Sequence, residues 1–329
     1  MSYTQFRDGY KRETTERTSI ITAVGDVTYL MGAVSQKSIH PSPTAMINYH
    51  ATGYNVKEVG SSAFWKGNFV LRGMYGMRVQ NGIICEMALG ASSTAASVHT
   101  ITPTTDGSVL PSFTINHEQK GSATNEEYQF AGCKIDSLVL SHDLTDANFL
   151  MAKIEWMAMI AQDGIALTTG PILPATANSA SYIELERKFD TGGTPLSIDG
   201  LESVEISISN GLSPVYSHTW DTGTYTGMWP QEFIEAPRKQ YLVTMQATMN
   251  TIERAVWDKL IATDTDMIST FKWIRSATDY IEVTVTGPVV EHELVSPVVG
   301  ERATSKIVIE PYSMSIAVKD ALAGSFYGE

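Results

Sequence analysis

The chain has 329 residues, 43% hydrophobic and 18% charged, with a mean hydropathy of -0.07 and a formal net charge of -13. This is an ordinary soluble globular composition, long enough that two cores are the default expectation. It excludes a membrane-spanning helix, since no run approaches roughly 18 apolar residues; a secretory leader, since MSYTQFRDGYKRETTERTS lacks an apolar core; and a phosphate-gripping protein, which would be basic.

The acidity is uneven. Residues 1–170 carry 12 Lys and Arg against 15 Asp and Glu, and residues 171–329 carry 11 against 21, so the halves stand at -3 and -10. Cys85 and Cys133 have no motif spacing and read as free thiols of a reducing compartment. The chain is expected to be made and kept in cytoplasm.

Residues 1–19 mix Arg7, Lys11, Arg12 and Arg17 with Asp8, Glu13 and Glu16, an arm that frays unless a neighbour ties it down. Ile20 to Val34, interrupted by Gly25 and Gly32, holds a short strand. Ile39 to Ser62, with Pro41, Pro43, Gly53 and Gly60, reads as a long irregular connection. Phe69 to Val79 alternates poorly and is broken by Gly73, Gly76 and then Gly82. Ile83 to Leu89 predicts a short helix with Gly90 as its C′ residue. Ser97 to Thr102 begins a strand that leads through Pro103 and Gly107 into the most informative stretch of the chain.

That stretch is Leu110 to Ser141, LPSFTINHEQKGSATNEEYQFAGCKIDSLVLS. Phe113 and Ile115 alternate with Ser112, Thr114 and Asn116, the period of a half-buried strand. Gln119 to Glu127 is a polar, Gly121-containing hairpin excursion, and Tyr128 and Phe130 open the return strand. Gly132-Cys133 suits a bend or bulge, after which Leu138-Val139-Leu140 is expected to be buried on both faces. The combination of LPSFTI, a polar excursion and FAGCKIDSLVLS resembles the core of the major tail tube protein of long-tailed, non-contractile phages and related viruses. The likeness is close over this stretch and looser elsewhere. Phe113, Gly132, Cys133, Leu138 and Leu140 are its packing and turn positions, and none carries chemistry.

From Asn148 to Ala161, Leu150, Ala152, Ile154, Trp156, Ala158 and Ile160 fall on one face at period two, opposite Met151, Lys153, Glu155, Met157 and Met159. Met, Ala, Lys and Glu also suit a helix. The complete alternation, and the strand that the resemblance puts here, favour a strand. Residues 162–181, rich in Gly, Pro, Thr, Ser and Ala, mark a domain boundary. Beyond it Leu201 to Asn210 is a strand with Val204, Ile206 and Ile208 inward, similar to the earlier SLVLS strand, and Val215 to Trp220 is its expected partner. Arg238 to Met249 is another strand. Asn250 caps a helix, with Glu253 reciprocating and Ile252, Val256 and Leu260 as its stripe through Ala262. Phe271–Arg275, Tyr280–Thr286, Lys306–Ile309 and Ser313–Val318 complete a second β unit.

Chemical motifs are incomplete throughout. His117-Glu118 and His292-Glu293 lack a second His four residues on. Gly132-Cys133-Lys134 lacks the upstream glycine and following Ser or Thr of a phosphate loop. Asp264-Thr265-Asp266 lacks the glycine and terminal glutamate of a calcium loop. His40, His50 and His99 are scattered, Glu126-Glu127 and Asp143 with Asp146 read as solvated loop charges, and Cys133 as a small buried hydrophobe. No catalytic, cofactor-binding or metal-binding residue is expected, and no enzyme.

The expected fold is therefore all-β with one or two short helices. It comprises an N-terminal arm (1–19), a first tube-like domain (20–165), a linker (166–181) and a second tube-like domain (182–329). The resemblance implies β-sandwich or half-barrel domains whose sheets join between subunits into a continuous lumen barrel. It implies a structural virion protein, assembled in host cytoplasm, whose stacked rings form the tail tube through which DNA passes during ejection. Family members with one tube domain form sixfold rings, so two per chain imply a trimeric ring with pseudo-sixfold symmetry. Double-stranded DNA would pass transiently through an acidic lumen, and the excursion around Glu118–Tyr128 would join the N-terminal arm in stitching ring to ring. Tape-measure, tail-terminator and distal tail proteins are the other implied partners. The alternative is a β-sandwich receptor- or glycan-binding distal tail module, with Trp220, Tyr225 and Trp229 of WDTGTYTGMWP as stacking aromatics.

Overall fold

The computed structural model describes residues 3–16, 29–30, 34–44, 47–48, 57–58, 62–72, 78–104, 109–121, 125–143, 150–164, 184–190, 196–197, 200–216, 220–221, 224–225, 230, 232–236, 240–248, 266–295 and 304–319. It is nearly all β, with one short helix among the described residues. In the N-terminal half the strands are β1 (Tyr3–Arg12), β2 (Tyr29–Leu30), β3 (Val34–Thr44), β4 (Ile47–Asn48), β5 (Lys57–Glu58) and β6 (Ser62–Arg72). Helix α1 (Arg78–Leu89) follows, then β7 (Gly90–Ala95), β8 (Val98–Pro103), β9 (Phe113–Gly121), β10 (Asn125–Asp143), β11 (Met151–Ala158) and β12 (Ile160–Asp163). The C-terminal half begins with β13 (Glu184–Asp190), β14 (Leu196–Ser197), β15 (Leu201–Ser209), β16 (Ser213–Val215), β17 (Trp220–Asp221), β18 (Thr224–Tyr225), β19 (Glu232–Ile234) and β20 (Gln240–Thr248). It ends with β21 (Met267–Ser276), β22 (Asp279–Gly287), β23 (Val289–Val295), β24 (Thr304–Ile309) and β25 (Ser313–Lys319).

Two large antiparallel sheets dominate, and neither closes on itself. The inner sheet runs β3-β6-β11-β10-β15-β20-β24-β23. The outer sheet runs β14-β13-β21-β22-β25-β8-β7. Alternation sets which side chains enter the space between them. From the inner sheet come Leu138, Leu140, Ala152, Ile154, Trp156, Val204, Ile206, Ile208, Val243, Met245 and Ile307; Ile101, Phe271, Trp273, Val283 and Ile316 come from the outer one. Helix α1 adds Ile84, Cys85, Met87, Ala88 and Leu89 to the same core. Trp273 spans the layers, its Nε1–H donating to His142 Nδ1 at 2.9 Å.

The inner sheet repeats one order twice. In the N-terminal half, β3, β6, β10 and β11 are arranged first-second-fourth-third, and in the C-terminal half β15, β20, β23 and β24 take the same places. Every neighbour is antiparallel, so a four-strand step preserves strand direction. β15 therefore corresponds to β3. The SLVLS strand and β15, alike in sequence, are instead antiparallel neighbours, a relation that a head-to-tail repeat does not give to counterparts. β15 pairs with β10 and β20, and the expected partner, Val215 to Trp220, does not pair with it; Ser213–Val215 meets β19 instead.

β10 is long because it serves two sheets. Its C-terminal part lies in the inner sheet, whereas Asn125–Ala131 turns away at Gly132 (φ +64°) and pairs with β9 and β12. β1 pairs with β9 along its length, so the N-terminal arm is a strand here. The excursion is thus a sheet in its own right, β2-β1-β9-β10-β12, with strands reaching Gly121 and resuming at Asn125. Three further expectations change. Val34–Thr44 is extended, where prolines had pointed to an irregular connection. α1 starts at Arg78, earlier than its apolar residues indicate, and ends before Gly90 (φ +106°) as expected. Met157 and Met159, expected opposite the core face, are also buried, in a second cluster with Phe64, Leu110, Leu212 and Phe233 against which Ile160 packs. The helix expected over Asn250–Ala262 lies outside the described residues.

Candidate assembly interface

The two halves are joined by seven rungs of β ladder, Ser137↔Ser209 through Asp143↔Ser203. Inward pairs across this seam are Leu138↔Ile208, Leu140↔Ile206 and His142↔Val204, all buried. One end is pinned by Asn210, fully buried, whose Nδ2 donates to Ile135 O (2.8 Å) and to Ala88 O (3.0 Å), a carbonyl in the last turn of α1. Beside it the Leu212 N–H donates to Asp136 Oδ1 at 2.8 Å.

The outer margins of the inner sheet are β3 and β23, and among the described residues no strand covers either. Pro41 and Pro43 are consistent with a margin, because a strand proline sits where its missing N–H faces away from the ladder. They also remove donors from that margin, leaving Val34–His40 as the stretch able to pair further. β23 spans Val289–Val295, and its Val290 is 52% exposed at a register shift. An open strand margin of this kind is a template for another chain.

The inner sheet's other face is open. Val139, placed by its neighbours in a doubly buried run, is half-buried on this face. Small hydroxyls (Ser137, Ser141, Ser203, Ser207) share it with Lys66, Lys153 and Lys306 and with Asp143, Glu155, Glu205 and Glu291. Charges nearly cancel there. From residues 171–329 the register places Glu205, Glu291, Glu293 and Lys306 on it. A cleft of about 150 Å³ at the Asp136 bulge, lined by Lys66, Gly67, Asn68, Glu155 and Trp156 among others, falls short of the roughly 300 Å³ of a small-molecule site.

The excursion is fixed to the body by buried polar groups. Glu13 Oε1 accepts from the Thr114 hydroxyl (2.7 Å) and the Gly132 N–H (2.8 Å), and Lys134 Nζ, fully buried, meets Glu16 Oε1 at 2.8 Å. The sequence put these acids in an arm and Lys134 in a failed phosphate motif; only the pairing of β1 with β9 brings them together. Glu86 on α1 was equally invisible. Burial pushes its carboxyl up to about 7 against the opposing pull of Arg12 (3.3 Å) and Ser92 (3.0 Å).

The residues weighed for chemistry do not converge. His117 and Glu118 are buried on β9, His117 stacking on Tyr128 at 6.5 Å between ring centroids. His99 Nδ1 lies 2.8 Å from Thr94 Oγ1 on the outer sheet. His40 and His292 are far apart in the inner sheet, on β3 and β23, and His50 lies outside the described residues. Asp266 accepts from Tyr312 at 2.7 Å, with Asp264 and Thr265 outside the described residues. Glu126 and Glu127 are half-buried on β10 and Asp143 is exposed at its end; Asp146 is not described. Burial raises the Cys133 thiol well above its usual range and pushes Cys85 up to about 12, so both stay protonated. No group of three His, Cys, Asp or Glu able to hold a metal occurs among the described residues. Trp220↔Tyr225 is a cross-strand pair of the β17-β18 ribbon, and Trp229 is not described.

No protein-family profile and no curated protein matches the chain. Among solved structures, the tail of an empty GTA particle, refined helically with C6 symmetry, aligns at 13% identity and a TM-score of 0.26, covering 42% of this chain and 92% of that one. A likeness at that score fixes neither fold nor function.

Proposed function

We propose that this chain is a structural subunit of a virus-type tail tube, pairing head to tail through β3 and β23 into rings that stack into a conduit for DNA. One observation carries the reading. The seam between β10 and β15 joins two copies of the same four-strand order, and each free margin repeats one side of that seam: β23 stands where β10 stands, and β3 where β15 stands. Seven rungs form the seam, and the usable margins, Val34–His40 and Val289–Val295, are each seven residues long. Repeating the contact between chains is a heterologous association, which closes into a ring when the rotation allows.

The sequence resemblance of Leu110–Ser141 to tail tube proteins supplies the ring count. Six four-strand blocks from chains of two blocks make a trimer with pseudo-sixfold symmetry, and the division into domains at 20–165 and 182–329 belongs to the same proposal. The open face then lines the lumen, where few net charges and no basic patch among the described residues let a phosphate backbone pass without being held. The tail of a virion is the matching location. A tape-measure protein inside and terminator and distal tail proteins at the ends are the matching partners. No enzymatic step is assigned.

Val290→Lys tests the reading. A lysine on an exposed margin blocks strand pairing at little cost to the fold. Wild-type protein should polymerise on concentration, whereas the variant should stay monomeric with an unchanged circular dichroism spectrum. Polymers of wild-type length from the variant would refute pairing through β23.

A further inference from the structure

The repeat of the inner sheet holds rung for rung. Leu140 continues across the strands to Ala152, Leu71 and Val34, and in the C-terminal half Leu294 continues to Ser305, Ala247 and Leu201. Two register shifts keep the same places in both halves. The ladder slips at Asp136, between Ile135 and Ser137, and at Val290, between Val289 and Glu291, equally far ahead of Leu140 and Leu294. It slips again at Ser35, just past Val34, and at Glu202, just past Leu201. A bulge is tied to the ladder around it, so shared bulges on two different strands leave no freedom in the correspondence. Residue types recur at the matched positions: Leu140 and Leu294, Lys153 and Lys306, Ile154 and Ile307, Ile39 and Ile206. The second layer repeats as well, β2-β1-β9-β10-β12 being answered by β14-β13-β21-β22-β25.

We propose that the ring contact reproduces the register of the seam, so that the central pair Leu140↔Ile206 becomes Leu294 of one copy opposite Ile39 of the next. The rungs among the described residues are then Glu291 to Ser42, His292 to Pro41, Glu293 to His40, Leu294 to Ile39 and Val295 to Ser38. The same two residue types, Leu and Ile, meet on the core face in both places. A slip of one residue would turn the strand's core side chains to the open face, and a slip of two would set Leu294 opposite Lys37 or Pro41. On the open face Glu293 shares its rung with Lys306, and His40 shares its rung with Lys66. This register therefore places an acid between basic residues across the contact, a favourable cross-strand order. It uses Ser38 to His40 and carries past Pro41, which withholds the N–H that Ile208 has at the matching place. The register rests on the tube reading but is separable from it.

The test is mild oxidation of assembled protein that carries Glu293→Cys and His40→Cys together. Residues directly opposite in an antiparallel ladder have Cα atoms roughly 4.5–5.5 Å apart, within disulfide reach. Two shifted pairs, Glu293→Cys with Ser38→Cys and Glu293→Cys with Ser42→Cys, are diagonal neighbours at roughly 7–8 Å, beyond it. Within one chain β3 and β23 are opposite margins of a sheet that does not close, so the bond forms only between copies. The buried, protonated Cys85 and Cys133 do not compete. The matched pair should give covalent dimers and trimers on a non-reducing gel, and the shifted pairs should not. A density map of the unmodified polymer reads the register independently of any substitution and should show Leu294 opposite Ile39. Polymers that cross-link through a shifted pair, or a map with Leu294 opposite another residue of β3, overturn the register and leave the β23–β3 contact standing. Failure of the wild-type chain to polymerise overturns both.

Discussion

Glu86 is the residue at which burial and charge are most directly opposed. Its carboxyl sits under α1 with Oε1 shared by Arg12 and Ser92 and without a partner on Oε2 among the described residues, so desolvation wins and the group titrates at about 7. An ordinary glutamate titrates near 4.5. The native chain therefore holds this proton more tightly than the unfolded chain. The stability it contributes is complete below about pH 4.5 and is lost as pH rises through about 7. Glu86→Gln keeps an acceptor for Arg12 and Ser92 and removes the ionisation. It should stabilise the monomer by about 1–3 kcal/mol at pH 8 and change little at pH 4.5 in urea titrations. Equal destabilisation at both pH values would mean that the Arg12 contact outweighs the burial.

At the scale of elements, the seam depends on how strand ends are tied. Asn210 satisfies two buried carbonyls from different elements, so Asn210→Ala leaves Ile135 O and Ala88 O without their side-chain donor in a dry site. The cost should be about 1–3 kcal/mol in chemical denaturation, with faster exchange at the amides of β15. A loss below experimental error would show that the seam is held by its ladder alone. Sequence could not reach this. Asn210-Gly211 reads as a strand stop, which it is, but its reach to α1 is set by tertiary packing. Strands with full alternation, such as β11, β15 and β22, were legible because one face is buried and the other open. β3 was not, because Pro41 and Pro43 look like breakers until the strand is known to be marginal. The pairing of β10 with β15 joins residues some 65 positions apart, and no local pattern encodes it. The doubly buried reading of Leu138–Leu140 failed for a related reason: Val139 is an apolar residue on an open face, and composition cannot separate that from a second core.

At the scale of the molecule, the two sheets share one core and end in margins that no other described strand covers. That arrangement is a liability for a dilute monomer and the means of growth for a polymer. The lumen reading also has a consequence that can be measured. Glu155 and Glu205 are exposed carboxylates on the open face, and their joint replacement by Lys would change that face from nearly neutral to basic. Tubes of this variant should retain duplex DNA at low salt and release it as salt rises, with wild-type tubes retaining none. Equal retention would place that face outside the conduit. The proposed tube role was legible only through the resemblance of Leu110–Ser141, since these residues are ordinary packing and turn positions and the proposed contact uses backbone margins that carry no motif.

Electron cryo-microscopy of the concentrated wild-type protein tests the central claim most directly. It should show stacked rings of three chains in which the inner sheet passes without a break from β23 of one copy to β3 of the next. Monomers with both margins exposed at every concentration, or rings of six whole chains, would contradict it.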